Sequence, residues 1–241
     1  MIVFSILGAL LFLVSTVVCS ILSVIVALLD RSGKSYLWLA RIWSKSCLLS
    51  FGIRIRITGA EHIKQGQNYV YAANHSSYLD IPILIGYIPD NIRLTLRSSL
   101  TRIPIWGWAL LVSPFLILDR SNPIRAQRTI GKAIEKIRKG ASVLFFPEGS
   151  RTLNGTMQPF KRGAFHLARE AGVPILPVAL IGAFEILPRN KWLPKWGHSA
   201  EIRIGEPVYF QQILQETSSA GKAEETRLMV ETERRVREML D

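Results

Sequence analysis

The chain has 241 residues, with 30 Lys plus Arg against 18 Asp plus Glu, giving a formal net charge of +12. A charged fraction of 20% beside 49% apolar residues excludes a disordered chain. Two cysteines, Cys19 and Cys47, exclude a disulfide framework and a Cys-rich zinc module.

Residues 1–29 carry no charged side chain, so the whole net charge falls on residues 30–241. About 20 apolar residues span the hydrocarbon core of a bilayer as a helix, and this run exceeds that length. A cleaved secretory signal fits poorly. No basic region precedes the apolar stretch, the stretch is too long, and no small-x-small site stands before Asp30. The run therefore predicts a retained membrane anchor. A single such run leaves no room for a polytopic transporter. Arg31, Lys34, Arg41 and Lys45 come directly after it. By the positive-inside rule they place the domain on the cytoplasmic face of the cell inner or plasma membrane. Residues 35–50 mix Trp38, Trp43 and several Leu with Arg41 and Lys45, which predicts an amphipathic helix at headgroup depth. A core helix of the domain is the competing reading. The expected organisation is an anchor over residues 1–50, as one membrane helix or two, and a globular domain over 51–241.

Residues 53–57 alternate Ile and Arg, the period of a half-exposed strand. A second strand is expected over 69–73, a short helix over 81–87 and a strand over 93–96. Residues 103–118 hold Trp106, Trp108, Leu110 and Leu111. They read either as a buried helix and strand or as an apolar wall that meets an acyl chain or lipid. Pro114 keeps the run 115–118 from joining a long helix. Pro123 opens a helix that Gly140 stops. Residues 142–146 form a buried strand that runs into Pro147, and 163–171 a helix stopped by Gly172. Strands come next over 175–180 and 201–204, then a charged helix after Gly221. Alternating strands and helices predict an α/β fold, a central and mostly parallel sheet flanked by helices.

Two stretches carry chemistry. Asn74-His75-Ser76-Ser77-Tyr78-Leu79-Asp80 comes just after a strand, where α/β active sites lie. A turn brings Asp80 back to one imidazole nitrogen of His75, fixing the tautomer and leaving the other nitrogen as general base. A structural His with an incidental Asp has the same spacing. Phe145-Phe146-Pro147-Glu148-Gly149-Ser150-Arg151 runs from a buried strand into a turn. There Arg151 suits a phosphate and Glu148 can accept from substrate hydroxyls, unless the two merely form a surface ion pair. Lys161 and Arg162 precede a helix N-terminus, and Arg120 comes after a strand-like run. An anionic headgroup explains this convergence, and so does a basic face on anionic lipid. His62, His166 and His198 show no ligand spacing, and no Gly-x-Ser-x-Gly elbow supplies a hydrolase nucleophile.

The His75/Asp80 element, Arg120, the Glu148-Gly149-Ser150-Arg151 element and Val173-Pro174-Ile175-Leu176-Pro177-Val178 occur in that order. Over residues 35–210 the chain resembles the glycerolipid acyltransferase family, specifically its 1-acyl-sn-glycerol-3-phosphate acyltransferases. The resemblance implies transfer of a fatty acyl group from a thioester to the free hydroxyl of lysophosphatidic acid, giving phosphatidic acid in phospholipid biosynthesis. It implies His75 as base and Asp80 as its orienting partner. Arg120, Glu148, Gly149, Ser150, Arg151 and Lys161 would bind the acceptor. It implies no metal and no bound cofactor, with acyl carrier protein or coenzyme A thioesters as donors. Nucleic acid is not the expected partner, because the uncharged run already supplies a membrane for the cations. Two blocks depart from the family pattern. Pro114 and Ile117 stand where Gly and Phe are usual ahead of Arg120, and Arg97-Ser98-Ser99-Leu100 lacks the usual Glu. These departures leave the acceptor open, another lysolipid such as lyso-ornithine lipid being the alternative. A membrane lipid-binding protein without turnover is the reading from another class.

Overall fold

The computed structural model describes residues 2–119, 123–210 and 222–241. Its strands are β1 (Arg54–Thr58), β2 (Val70–Ala73), β3 (Ile92–Arg97), β4 (Leu116–Leu118), β5 (Ser142–Phe145), β6 (Ile175–Ile181) and β7 (Ser199–Ile204). Among the described residues they form one sheet in the order β1-β7-β6-β2-β5-β3-β4. Every pairing is parallel except β6 with β7. The sheet is mixed and mostly parallel, as the alternation of elements predicts. β2 and β5 are buried along their whole length, the signature of central strands covered on both faces. β7 alternates exposed and buried positions, which suits its place near the sheet's margin.

Side chains of successive strand residues point to opposite faces. Accordingly Tyr71, Ala73 and Leu144 join one apolar cluster, and Val70, Ala72, Val143 and Phe145 join the other. The first is covered by α2 (Lys34–Ser50) and α3 (Asp80–Tyr87). The second is covered by α5 (Pro123–Arg138), α6 (Gly163–Ala171) and α8 (Lys222–Leu240). Two shorter helices, α4 (Trp106–Val112) and α7 (Ala183–Ile186), complete the described set.

The N-terminal helix α1 (Ile2–Leu29) is, among the described residues, the one helix long and apolar enough to cross a membrane. Leu10, Leu11, Leu13, Val14, Val18 and Ile21 are exposed along it. It packs against α2. Trp43 Nε1 donates to Thr16 Oγ1 at 3.0 Å, and Gly8 lies so close to α2 that a Cβ there would meet the Ser50 carbonyl oxygen at 2.3 Å.

The division at residue 50 does not mark a packing boundary. Tyr36, Leu37 and Leu48 of α2 are buried in the same cluster as Ile83 and Leu84 of α3. Trp38, Ile42 and Leu49 of the same helix stay exposed. With apolar residues on two faces, α2 belongs to the core and still presents an apolar surface. α4 divides in the same way. Gly107, Ala109 and Leu110 are buried, whereas Trp108, Leu111 and Val112 face outward. Trp106, Leu110 and Phe115 line a narrow apolar cavity together with Cys19 of α1 and Tyr36 of α2.

Candidate active site

β2, β5 and β6 lie side by side, with Ala72 level with Phe145 and Ala73 level with Val178. Their carboxyl ends therefore form one edge, where α/β folds place ligands. The chain leaves β2 through Asn74. Its side-chain amide donates to the Leu180 carbonyl at 3.0 Å, and its oxygen accepts from the Leu180 N–H at 2.7 Å. This two-way clamp fastens the end of β2 to β6 just before His75.

His75 and Asp80 meet. His75 Nδ1 lies 2.7 Å from Asp80 Oδ2. The same oxygen accepts the backbone N–H groups of Ser76 at 2.7 Å and Ser77 at 2.9 Å. A five-residue turn thus wraps its own carboxylate, which is fully buried at the start of α3. An ionised carboxylate only accepts, so Nδ1 carries the proton and Nε2 is left to take one. The imidazole stacks on Phe146, ring centroids 4.0 Å apart, and this fixes its plane. Ser77 Oγ donates to the Leu187 carbonyl and accepts from the Leu79 N–H, which locks the turn from behind.

The Phe146–Thr152 turn is bolted to the same histidine. Glu148 Oε1 accepts the backbone N–H of His75 at 2.6 Å, and Oε2 accepts that of Gln158 at 2.8 Å. Thr152 N–H donates to the His75 carbonyl at 2.9 Å. Both backbone polar groups of His75 are therefore held by the turn after β5. Gly149 makes the turn possible with a φ of 86°, a left-handed conformation that side-chain-bearing residues rarely adopt. Burial pushes the Glu148 carboxyl up to about 7, against the two N–H bonds that favour its charged form. The sequence suggests that Glu148 accepts from substrate hydroxyls; in the structure its two oxygens hold backbone amides of its own chain.

Arg151 stands on the same turn. Its guanidinium carbon sits 3.3 Å from the centroid of the Tyr78 ring, a cation–π contact. Its Nη1 is buried with no hydrogen-bond partner among the described groups. Burial lowers its pKa from the ordinary 12.5, and the neighbouring Tyr78 and Asp80 act in the opposite sense. A buried cationic donor without an acceptor is costly, and a phosphate or carboxylate oxygen would satisfy it. Ser150 and Lys161 are exposed, with the Lys161 backbone N–H on the Pro147 carbonyl. Glu233 of α8 accepts the Phe160 N–H and so braces the loop before α6. Arg162 is exposed as well, and Arg120, the other cation singled out in the sequence, lies outside the described residues. Four contributors carry no signal in the sequence beyond their nearness to the motifs: Asn74 as a clamp, Tyr78 under Arg151, Phe146 under the imidazole, and Thr152.

The acyltransferase family model matches residues 54–181, which contain all of these groups except Leu187 and Glu233. A 1-acyl-sn-glycerol-3-phosphate acyltransferase of Saccharomyces cerevisiae is 32% identical over 82% of this chain and 67% of its own length. A chloroplastic enzyme of the same name from Brassica napus is 33% identical over 76% of this chain and 54% of its own. One from Pseudomonas aeruginosa is 33% identical over 72% and 63%. The chain thus matches between about half and two thirds of the length of these relatives. The crystal structure of the 1-acyl-sn-glycerophosphate acyltransferase of Thermotoga maritima superposes with a TM-score of 0.78 at 24% identity, covering 99% of this chain and 95% of that one. That likeness establishes the fold.

Proposed function

From a chain that belongs to the acyltransferase family, we propose an enzyme that moves a fatty acyl group from a thioester to the sn-2 hydroxyl of 1-acyl-sn-glycerol-3-phosphate, forming phosphatidic acid. One observation carries this reading. His75, with Nδ1 on a buried carboxylate and Nε2 free, is fastened through its own backbone to the turn that presents Arg151. Nε2 takes the proton as the acceptor oxygen attacks the thioester carbonyl. Asp80 stabilises the imidazolium that forms. The tetrahedral intermediate then collapses, the carbon–sulfur bond breaks, and the imidazolium gives its proton to the leaving thiolate, releasing it as the thiol. The nucleophile is the acceptor's own hydroxyl, so no acyl-enzyme forms. Arg151 meets the acceptor phosphate with a donor that is already desolvated.

The donor is an acyl carrier protein or coenzyme A thioester. The exposed apolar faces of α1, α2 and α4 seat the enzyme in a membrane, with the catalytic domain on the cytoplasmic side, where the acceptor and product reside. Relatives bearing the 1-acyl-sn-glycerol-3-phosphate acyltransferase name support this choice of acceptor. A matrix of lysolipid acceptors against both donors, run on the detergent-solubilised full chain, tests it. Phosphatidic acid from lysophosphatidic acid is the expected product. Turnover with lyso-ornithine lipid alone would reassign the acceptor, and no product from any pair by folded protein would defeat the reading.

A further inference from the structure

Neither the reaction nor the membrane reading of the two N-terminal helices gives a role to the loop over residues 187–197. It carries Arg189, Lys191 and Lys195, and no acid occurs between Glu185 and Glu201. Trp192 is 91% exposed and Leu193 is 52% exposed. The loop is not a loose one. Lys191 N–H donates to the Pro188 carbonyl at 3.0 Å, Lys195 N–H to Ile186 at 2.9 Å and Gly197 N–H to Phe51 at 3.0 Å. Pro194, next in sequence to the exposed pair, is buried. An indole held in water by a braced backbone gains nothing from burial and has already given up conformational freedom.

Each end of the loop touches something that matters. At its start, the Leu187 carbonyl accepts Ser77 Oγ from the histidine turn, and Arg189 Nη1 donates to the Arg151 carbonyl at 3.0 Å. At its end, Trp196 lies against Gly52, and Gly197 holds Phe51. Phe51 in turn packs on Phe12 of the apolar helix α1, ring centroids 6.3 Å apart. The loop therefore bridges the apolar helix pair and the turn that bears the unpartnered Arg151 donor.

Trp and Leu flanked by lysines, without acids, match the headgroup zone of an anionic bilayer: the rings settle at the interface and the ammonium groups meet lipid phosphates. We propose that residues 187–197 form a second membrane contact, in which Trp192 and Leu193 enter the interface, Lys191 and Lys195 sit on lipid phosphates, and the Arg151 turn is held at the lipid surface. The proposal rests on the reading of the acceptor as a membrane lipid. An acidic carrier protein is the rival occupant for the cations, but it gives no account of an indole 91% exposed.

The test uses the full chain in phosphatidylcholine vesicles with and without phosphatidylglycerol, carrying lipids spin-labelled near the headgroup. Six tryptophans are present, so the signal of Trp192 is the difference between wild type and Trp192→Phe. That difference spectrum is expected to be blue-shifted and quenched by the labelled lipid, more strongly with phosphatidylglycerol. Trp192→Glu with Leu193→Glu is expected to raise the acceptor KM in vesicles roughly tenfold, leaving kcat on a short-chain, monomeric lysophosphatidic acid unchanged. Absence of turnover by wild type on the monomeric acceptor counts against the proposed reaction and leaves the quenching result standing. A Trp192 difference signal open to aqueous iodide and indifferent to labelled lipid overturns the membrane contact. So does a Lys191→Glu/Lys195→Glu variant impaired only with the acyl carrier protein donor.

Discussion

Glu148→Gln separates a carboxylate that contacts substrate from one that holds the site together. Glu148 is only 3% exposed, and its two oxygens accept backbone N–H groups 73 residues away in one direction and 10 in the other. Its carboxyl is held at about 7 by burial instead of the ordinary 4.5. The folded state then binds more protons than the unfolded chain between those two values. Stability from this group is complete below 4.5 and is lost as the pH rises through 7. The full loss is about 3 kcal/mol, because each pKa unit is worth about 1.4 kcal/mol. Glutamine cannot titrate, and it resembles the protonated acid: one oxygen accepts while an N–H₂ group replaces the O–H. At about pH 5 the variant should sit close to wild type, since the neutral acid already faces one N–H with a donor. Toward about pH 8 the wild type should lose that margin relative to the variant, a relative melting shift of roughly 6–12 °C for a chain of this size. Melting curves of both proteins in one detergent, taken across that range, measure the difference and cancel every other titrating group. Parallel curves would falsify the assignment. Kinetics supply a second reading. Because Glu148 holds the backbone of His75, the variant should lower kcat and leave the acceptor KM nearly unchanged. A raised KM with intact kcat would return Glu148 to the substrate side.

Three other substitutions act on separate parts of the molecule. His75→Ala should lower turnover by ~10²–10⁴-fold while lysolipid binding persists, and wild-type-like rates would remove His75 from the proton path. Arg151→Ala should raise the acceptor KM by about 10–100-fold, the usual worth of a hydrogen bond to a charged group, with kcat changing less; an acceptor series with and without phosphate reads it. Gly8→Leu forces a side chain into the Ser50 carbonyl, where even a Cβ would stand at 2.3 Å. It should lower the melting temperature by about 3–10 °C through overpacking between α1 and α2, and an unchanged melt would mean that α1 does not pack there.

Apart from α4, whose bounds the sequence leaves open, and α7, which it does not mark, the described strands and α-helices lie within two residues of where periodicity and Pro/Gly punctuation put them. Local rules suffice for that. β5 reads as a buried run into Pro147, and α6 ends at Gly172 as expected. The His75–Asp80 contact is also legible, since its partners are five residues apart on one turn. The contacts that hold the site rigid are not. Asn74 reaches Leu180 across 106 residues, and Glu148 reaches His75 across 73. Only the parallel order β5-β2-β6 brings these ends level, and strand order leaves no local trace in a sequence. Glu148 reads as a free acceptor for the same reason: nothing near it announces two incoming amides. The amphipathic pattern of α2 shows that it has an apolar face but not what covers that face. Its buried side packs on α3 and α1, with Tyr36, Leu37 and Leu48 in the same cluster as Ile83 and Leu84.

Asp80 shows how these long-range ties bear on the chemistry. Its Oδ2 gathers three N–H donors, while Oδ1 is buried with no partner among the described groups. The negative charge is thus concentrated by hydrogen bonding on the oxygen that faces the imidazole. In a buried setting the attraction between that oxygen and an imidazolium is several times what water allows. The pair is weakest while His75 is neutral and strongest once Nε2 has taken the proton, which is the differential stabilisation a general base needs. It works only if the ring cannot turn away. Phe146 fixes the ring's plane, while Glu148 and Thr152 fix the backbone on either side of it. Rigidity supplied by the second motif is therefore what lets the carboxylate of the first act on the imidazole.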